Sequence, residues 1–243
     1  QGIPIIRGLK GSEVLHLVDG MRLNNAFFRN APNQYLGLVD AFATARMEVV
    51  RGSAPSLYGA DAMGGVLQIL TREPVLDGSN RSHEGRLYGS YDSVTSSLAG
   101  RAELAVGNAD SVLSGGVTWR DYGNRETGGG ETVWPSGYDV RAADLKWRQA
   151  NGEDAELMLS AQYLEQPESP RVDELVPGYG QDEPSSEQYW FRPNRREFLH
   201  ARYRLESDAS WFARFEAHLA RQVITDDRRT QDFGSPVITD EAS

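Results

Sequence analysis

The 243-residue sequence contains no cysteine. Without thiols there is no disulfide framework, no thiolate metal site and no cysteine nucleophile. No run approaches the roughly 18 apolar residues of a membrane-spanning helix. Positive charge is in deficit: 25 Lys plus Arg stand against 35 Asp plus Glu, a formal net charge of -10. That balance argues against nucleic acid as a partner. The opening Gln1-Gly-Ile-Pro4 has no basic segment, so no signal peptide is expected within the chain. Disorder is excluded by a hydrophobic content of 39%, with 5 Trp, 10 Tyr and 8 Phe. One membrane class escapes a search for apolar runs, the transmembrane β-barrel, because its strands alternate.

Catalytic signatures are missing too. No dinucleotide or phosphate-binding glycine pattern occurs; Gly128-Gly-Gly130 sits in a polar stretch. There is no Gly-x-Ser-x-Gly elbow and no EF-hand spacing. His16, His83, His200 and His218 show no metal-ligand spacing. His16 lies inside an apolar run and reads as a packed core residue. His200 and His218 fall on the polar faces of neighbouring strands, where they would line a lumen. The sequence therefore points to neither an enzyme nor a resident cofactor or metal.

What is present divides near residue 76. Residues 1–76 hold seven basic and six acidic side chains, so the remainder carries -11. The first part has short apolar runs punctuated by glycine: Val14–Val18 before Asp19-Gly20, Met47–Val50 before Arg51-Gly52, and Val66–Leu70 after Gly64-Gly65. Strands are expected there, with helical turns near 37–44 and 53–63, giving a compact α+β domain. Gly8, Gly20, Gly52, Gly59, Gly64 and Gly65 are expected to need positive φ or close backbone approach.

Residues 77–243 alternate with a two-residue period. In 198–205, Leu199, Ala201, Tyr203 and Leu205 oppose Phe198, His200, Arg202 and Arg204. In 154–163, Ala155, Leu157, Leu159, Ala161 and Tyr163 oppose Asp154, Glu156, Met158, Ser160 and Gln162. Segments 85–91, 98–106, 113–120, 141–148 and 210–221 behave alike, giving about seven strands. A soluble antiparallel sandwich would also alternate. Strands of about 8–12 residues, close to the roughly 9–11 of a tilted membrane strand, charged polar faces, and tight turns alternating with long polar segments at 121–139 and 164–195 favour a membrane barrel. Tyr91, Trp119, Trp147, Tyr163 and Trp211 sit where an interfacial girdle would.

Five segments of the first part carry a resemblance: Ile6-Arg-Gly8, Val14–Arg22, Met47–Gly52, Ser56–Gly59 and Ala62–Arg72. In this order and spacing they resemble the plug domain of TonB-dependent outer-membrane receptors. The resemblance implies that residues 1–76 are the C-terminal part of a plug. Residues 77–243 would be the N-terminal part of an antiparallel transmembrane barrel, 22-stranded in the family. The 167 residues after position 76 hold only about seven such strands, so the chain is expected to be a portion of a receptor. The implied function is active import of a scarce ligand across the bacterial outer membrane, with a ferric siderophore first. Haem, cobalamin and carbohydrate follow, and a soluble β-rich binding module without transport is the alternative class. The implied partners are TonB with its inner-membrane energising complex, the small ligand and outer-membrane lipid.

The resemblance also directs attention to particular residues. Arg22, Asn24, Asn25, Phe27, Phe28, Arg29, Asn30, Gln34 and Tyr35 mix cations, amides and aromatics in one loop. Such a loop suits an anionic, partly aromatic chelate; the two phenylalanines could equally pack the loop down. Glu48 and Arg51 flank an apolar strand. They either pair with barrel-wall charges and hold the plug or form a plain solvated pair, and Arg7 invites the same reading. Asp19 is expected to fix its own turn. Trp134, Tyr138, Tyr179, Tyr189, Trp190 and Phe191 are assigned to long loops or their borders, and no histidine falls in either long loop.

Overall fold

The computed structural model describes residues 4–23, 35–59, 61–74, 82–209 and 211–242. The chain forms two compact units, Gln1–Glu73 and Pro74–Ser243. Among the described residues no helix is long and apolar enough to cross a membrane, which says nothing about strands.

The first unit is built on a four-stranded mixed sheet. Its strands are β1 (Val14–Val18), β2 (Met21–Arg22), β3 (Thr44–Arg51) and β4 (Gly65–Thr71), in the order β2-β1-β4-β3. β1 runs parallel to β4, and β3 runs antiparallel to it. A 3-10 turn at Ala41–Ala43 and a short helix α1 (Pro55–Tyr58) fall within the stretches expected to be helical, and a second 3-10 turn, Tyr35–Leu38, begins two residues before the first of them. β1 is buried along its whole length, as its unbroken apolar run requires. Leu15 and Leu17 pack with Ala54, Ala62 and Val66, and Tyr58 covers the cluster.

Asp19 and Gly20 both have positive φ, 49° and 81°, in the two-residue link between β1 and β2. That is the geometry an Asp-Gly hairpin turn favours. The Asp19 carboxylate accepts from the Thr71 backbone N–H at 2.8 Å and from the Thr71 hydroxyl at 2.6 Å. It therefore fixes this turn against the end of β4, as the sequence suggests. The six singled-out glycines follow the same logic. Five have positive φ, and a Cβ on Gly64 would stand 2.8 Å from that of Leu9.

His16 is 1% exposed in the middle of β1, and burial pushes its pKa down to about 4 from 6.5. The folded value is the lower one, so His16 contributes its full stability above pH 6.5. That contribution declines as pH falls through the window and is gone below about 4, a loss of roughly 3 kcal/mol. Hydrogen exchange at β1 and β4, corrected for intrinsic rates, should therefore show loosening between pH 6.5 and 4. His16→Gln should flatten that dependence; a wild-type profile without it would refute the role of burial.

The second unit is a nine-stranded antiparallel sheet among the described residues. Its long strands are β5 (Ser82–Asp92), β6 (Ser97–Gly107) and β7 (Ser111–Tyr122). A small hairpin follows, β8 (Arg125–Glu126) with β9 (Thr132–Val133). Next come β10 (Tyr138–Asn151), β11 (Ala155–Gln166) and the short β12 (Ser169–Pro170), then a single turn of helix α2 (Val172–Leu175). β13 (Ser186–Glu206), β14 (Arg214–Asp232) and the short β15 (Thr239–Glu241) complete it. The path is β15-β14-β13-β11-β10-β7-β6-β5, with β12 beside β13. All seven expected long strands are present.

Two boundaries differ. β13 begins at Ser186 rather than near 198, and β14 starts at Arg214 rather than 210 and runs on to Asp232. Tyr189, Trp190 and Phe191 thus belong to a strand, not to a loop. The polar residues of these extensions pair across β13 and β14, so the ladder continues where the apolar alternation has stopped.

The sheet is buried the opposite way from a water-soluble one. Its apolar face is open: Leu104, Val117, Leu145, Leu199 and Leu219 are 51–77% exposed. Its polar face is closed: Arg101, Arg120, Lys146, Arg196 and His200 are at most 8% exposed. Register aligns Gly115, Leu145 and Ala161 across β7, β10 and β11 in one apolar row. Trp119 and Arg141, paired across β7 and β10, bound the band on one side. Trp147 bounds it on the other, ahead of Gln149.

Candidate functional site

Among the expected ligand residues, Asn24, Asn25, Phe27, Phe28, Arg29, Asn30 and Gln34 lie outside the described residues, as does the side chain of Tyr35. Arg22 is described. It closes β2, and its Nη1 donates to Asp61 Oδ2 at 2.5 Å. Both side chains are partly exposed. A ligand anion at Arg22 must therefore share the guanidinium with Asp61.

Arg7 sits in a turn with φ 54°, its guanidinium 3.2 Å from where a Cβ on Gly52 would stand. Glu48 Oε1 accepts from Arg46 Nε at 2.7 Å. The two-residue period puts Arg46 and Glu48 on one face of β3 and Arg51 on the other. A spacing of three thus separates Glu48 from Arg51 within the strand.

The polar face of the large sheet carries a cross-strand charge network. Arg101 on β6 lies over Gly116 of β7 and reaches Asp144 on β10, with Nη1 to Oδ2 at 2.8 Å. A Cβ on Gly116 would stand 2.2 Å from this guanidinium, so the missing side chain opens the way. Arg101 also donates to Glu103 and to the Thr118 hydroxyl. Farther along, Arg202 Nη2 meets Glu156 Oε1 at 3.0 Å. Arg196 donates to Gln222 and Gln162 while its guanidinium lies over the Phe198 ring at 4.6 Å. Buried ions are tolerated only when they keep such partners.

A second constellation forms where β13 and β14 extend past the apolar band. Between Phe191 and Asn194 the register shifts, so that Arg192 and Pro193 stand against the single residue Asp227. A proline cannot donate to a ladder, and bulges are where strands admit one. The extra residue reverses the alternation. Tyr189 and Phe191, odd-numbered, now share a face with Asp226 and Arg228.

There the Tyr189 hydroxyl accepts from Arg228 Nη1 at 2.9 Å and from Arg171 Nη1 at 3.1 Å. The Arg171 guanidinium also lies over the Tyr189 ring at 4.8 Å, and that of Arg228 lies 5.0 Å from the centre of the Phe191 ring. Arg228 is held by two bonds to Asp226, at 2.9 and 2.8 Å, and that carboxylate is buried. Arg171 instead pairs with Asp173 and Glu174 of α2, and Asp173 is 65% exposed. An incoming anion could replace the exposed carboxylate far more cheaply than the buried one. Two cations and the Phe191 ring beside the Tyr189 phenol thus offer a planar oxyanion charge-assisted hydrogen bonds and stacking faces. The sequence showed these aromatics but not their convergence, because the bulge that aligns them is a register event.

A family model described as TonB-dependent Receptor Plug Domain matches residues 1–66. The vitamin B12 transporter BtuB of Vibrio vulnificus strain YJ016 is 41% identical over 98 residues, covering 40% of this chain and 15% of that protein. The ferric aerobactin receptor of Klebsiella pneumoniae is 29% identical over 126 residues, covering 43% and 17%. Among solved structures, the copper transporter OprC superposes with a TM-score of 0.73 at 21% identity, covering 94% of this chain and 32% of that one. The chain thus spans at most about a third of the length of each.

Proposed function

We infer, from a chain that belongs to the TonB-dependent receptor family, that the intact receptor captures a scarce ligand outside the cell and imports it. The protein resides in the outer membrane and is a non-catalytic receptor. The observation that carries this reading is the sheet's burial: an exposed apolar face and a closed, charged one suit lipid outside and a polar interior within. A soluble sandwich would need the reverse. In this reading ligand binding needs no covalent step. TonB and its inner-membrane complex supply the energy by disturbing the plug, and Arg7, Glu48 and Arg51 are the charges we propose to hold the plug in place.

The ligand we propose is a ferric siderophore. Arg171, Arg228, Tyr189 and Phe191 offer cations and ring faces to an anionic chelate; independently of these, Arg22, Asn24, Asn25, Phe27, Phe28, Arg29, Asn30, Gln34 and Tyr35 are the ligand contacts we propose within residues 1–76. Cobalamin is the second reading, favoured by the 41% identity to a vitamin B12 transporter. The deciding experiment is uptake by the intact receptor in cells lacking other receptors, offered a panel of radiolabelled ferric siderophores and labelled cobalamin. We expect TonB-dependent ferric siderophore uptake. Binding should weaken about tenfold or more in each of Arg22→Glu, Arg29→Glu and Arg171→Ala, the scale of one charge-assisted bond. Cobalamin uptake alone would transfer the assignment to the second reading, and uptake of neither would reject both. In the same cells Glu48→Ala should alter pore leakage; unchanged conductance would reject its latching role.

A further inference from the structure

His200 and His218 are 18 positions apart in the sequence, yet their rings stack with centroids 5.2 Å apart and planes 11° from parallel. Register makes them diagonal neighbours on the polar face, since His200 pairs with Ala220 and His218 with Arg202. Nε2 of His200 lies 2.9 Å from Nδ1 of His218. The far nitrogen of His218 lies 3.0 Å from Glu216 Oε1. A carboxylate there holds the proton on Nε2, which leaves the Nδ1 lone pair facing His200. The same arrangement orients histidines that bind metals: a carboxylate behind the ring fixes the tautomer and raises the basicity of the ligating nitrogen.

We propose that His200 and His218 form a two-nitrogen binding site for a divalent transition-metal ion, with Cu(II) and Ni(II) preferred over Zn(II). The affinity order of the divalent metals, which peaks at copper, favours Cu(II), and the close approach of the two nitrogens suits a right angle at the ion. Two nitrogens bound at about 2.05 Å and at a right angle stand about 2.9 Å apart, whereas a tetrahedral angle separates them by about 3.3 Å. The observed 2.9 Å matches neighbouring corners of a square or tetragonal site. The ion replaces the hydrogen bond between the rings, and each ring turns to aim its lone pair at the ion. Both imidazoles stay neutral: the His200 proton moves from Nε2 to Nδ1, so binding to the neutral pair releases no net proton.

The remaining coordination positions fall to water. Among the described residues no group of three or more His, Asp or Glu could hold a metal, so this is a site of low ligand count rather than a closed cage. Ser160 supports the water. It faces His200 directly across β11 and β13, is 7% exposed, and its hydroxyl has no hydrogen-bond partner among the described residues. Arg202 and Arg204 share this face and oppose a cation, but both are paired to carboxylates, Arg202 to Glu156 and Arg204 to Glu216. The inference is independent of which ligand the receptor imports.

The test is titration of the full chain in detergent micelles with Cu(II), Ni(II) and Zn(II), followed by calorimetry and, for copper, electron paramagnetic resonance. The expected result is one equivalent of Cu(II) with hyperfine coupling to two nitrogens, and weaker Zn(II) binding. His200→Gln and His218→Gln should each remove the two-nitrogen signature and weaken copper at least tenfold. Glu216→Gln should weaken it about tenfold while keeping the signature. His83→Gln, altering the exposed histidine of β5, should change nothing. Wild-type copper spectra without two-nitrogen coupling would overturn the proposal even if a variant failed to fold. So would undiminished binding in both histidine variants, or an equal loss in His83→Gln.

Discussion

Leu145→Arg should destabilise the folded receptor in lipid by about 2–4 kcal/mol, the cost of a cation near the bilayer midplane of a barrel. Leu145 is 51% exposed on the apolar face of β10. Its cross-strand neighbours are Gly115 and Ala161, so no carboxylate adjoins it in that row. Along its own strand the apolar face continues through Ala143 and Trp147 before reaching Arg141 and Gln149, which places Leu145 near the middle of the band. In a water-soluble sheet the same exposed position would accept arginine within about 0.5 kcal/mol. Urea-induced unfolding from lipid vesicles measures the difference. A neutral substitution would remove lipid from this face and favour a soluble binding module.

The second large effect is expected at Gly65, the first residue of β4, which lies between β1 and β3 in the smaller sheet. Its φ is 153°, and a Cβ there would stand 2.3 Å from the Val50 carbonyl oxygen. That oxygen is backbone and cannot swing aside as a flexible side chain could. Gly65→Val therefore combines an unfavourable backbone conformation with a steric clash in the central strand. A cost of about 3 kcal/mol or more follows. Hydrogen exchange should show protection lost across β1, β3 and β4 while β5–β14 keep theirs. Gly8→Ala is the comparison: its φ is also positive, at 80°, but a Cβ there meets nothing within 4 Å. Equal protection in the Gly65 variant and wild type would refute the close-approach argument.

Much of the fold is legible in the amino-acid sequence. The glycine-punctuated strands of residues 1–76 and the alternation of the following seven segments are local patterns. A backbone that needs positive φ, or a strand with two unlike faces, imprints itself on neighbouring residues. The start of β13 and the extension of its partner are not legible, because Ser186–Arg195 and Thr225–Asp232 pair by register without an apolar stripe. The Glu48–Arg51 spacing misleads for a related reason: in an extended strand three residues reverse the face, and Glu48 turns to Arg46.

Element types, the two unlike regions and the existence of an apolar and a polar face can all be read from the amino-acid sequence, since each follows from contacts within a few residues. The sequence could not decide which face is closed, because burial depends on what strands bring together from far along the chain. Only the tertiary structure carried Arg101 across Gly116 to Asp144, set Tyr189 between Arg171 and Arg228, and stacked His200 on His218. Each of those meetings is fixed by strand register, a long-range property that no local pattern encodes.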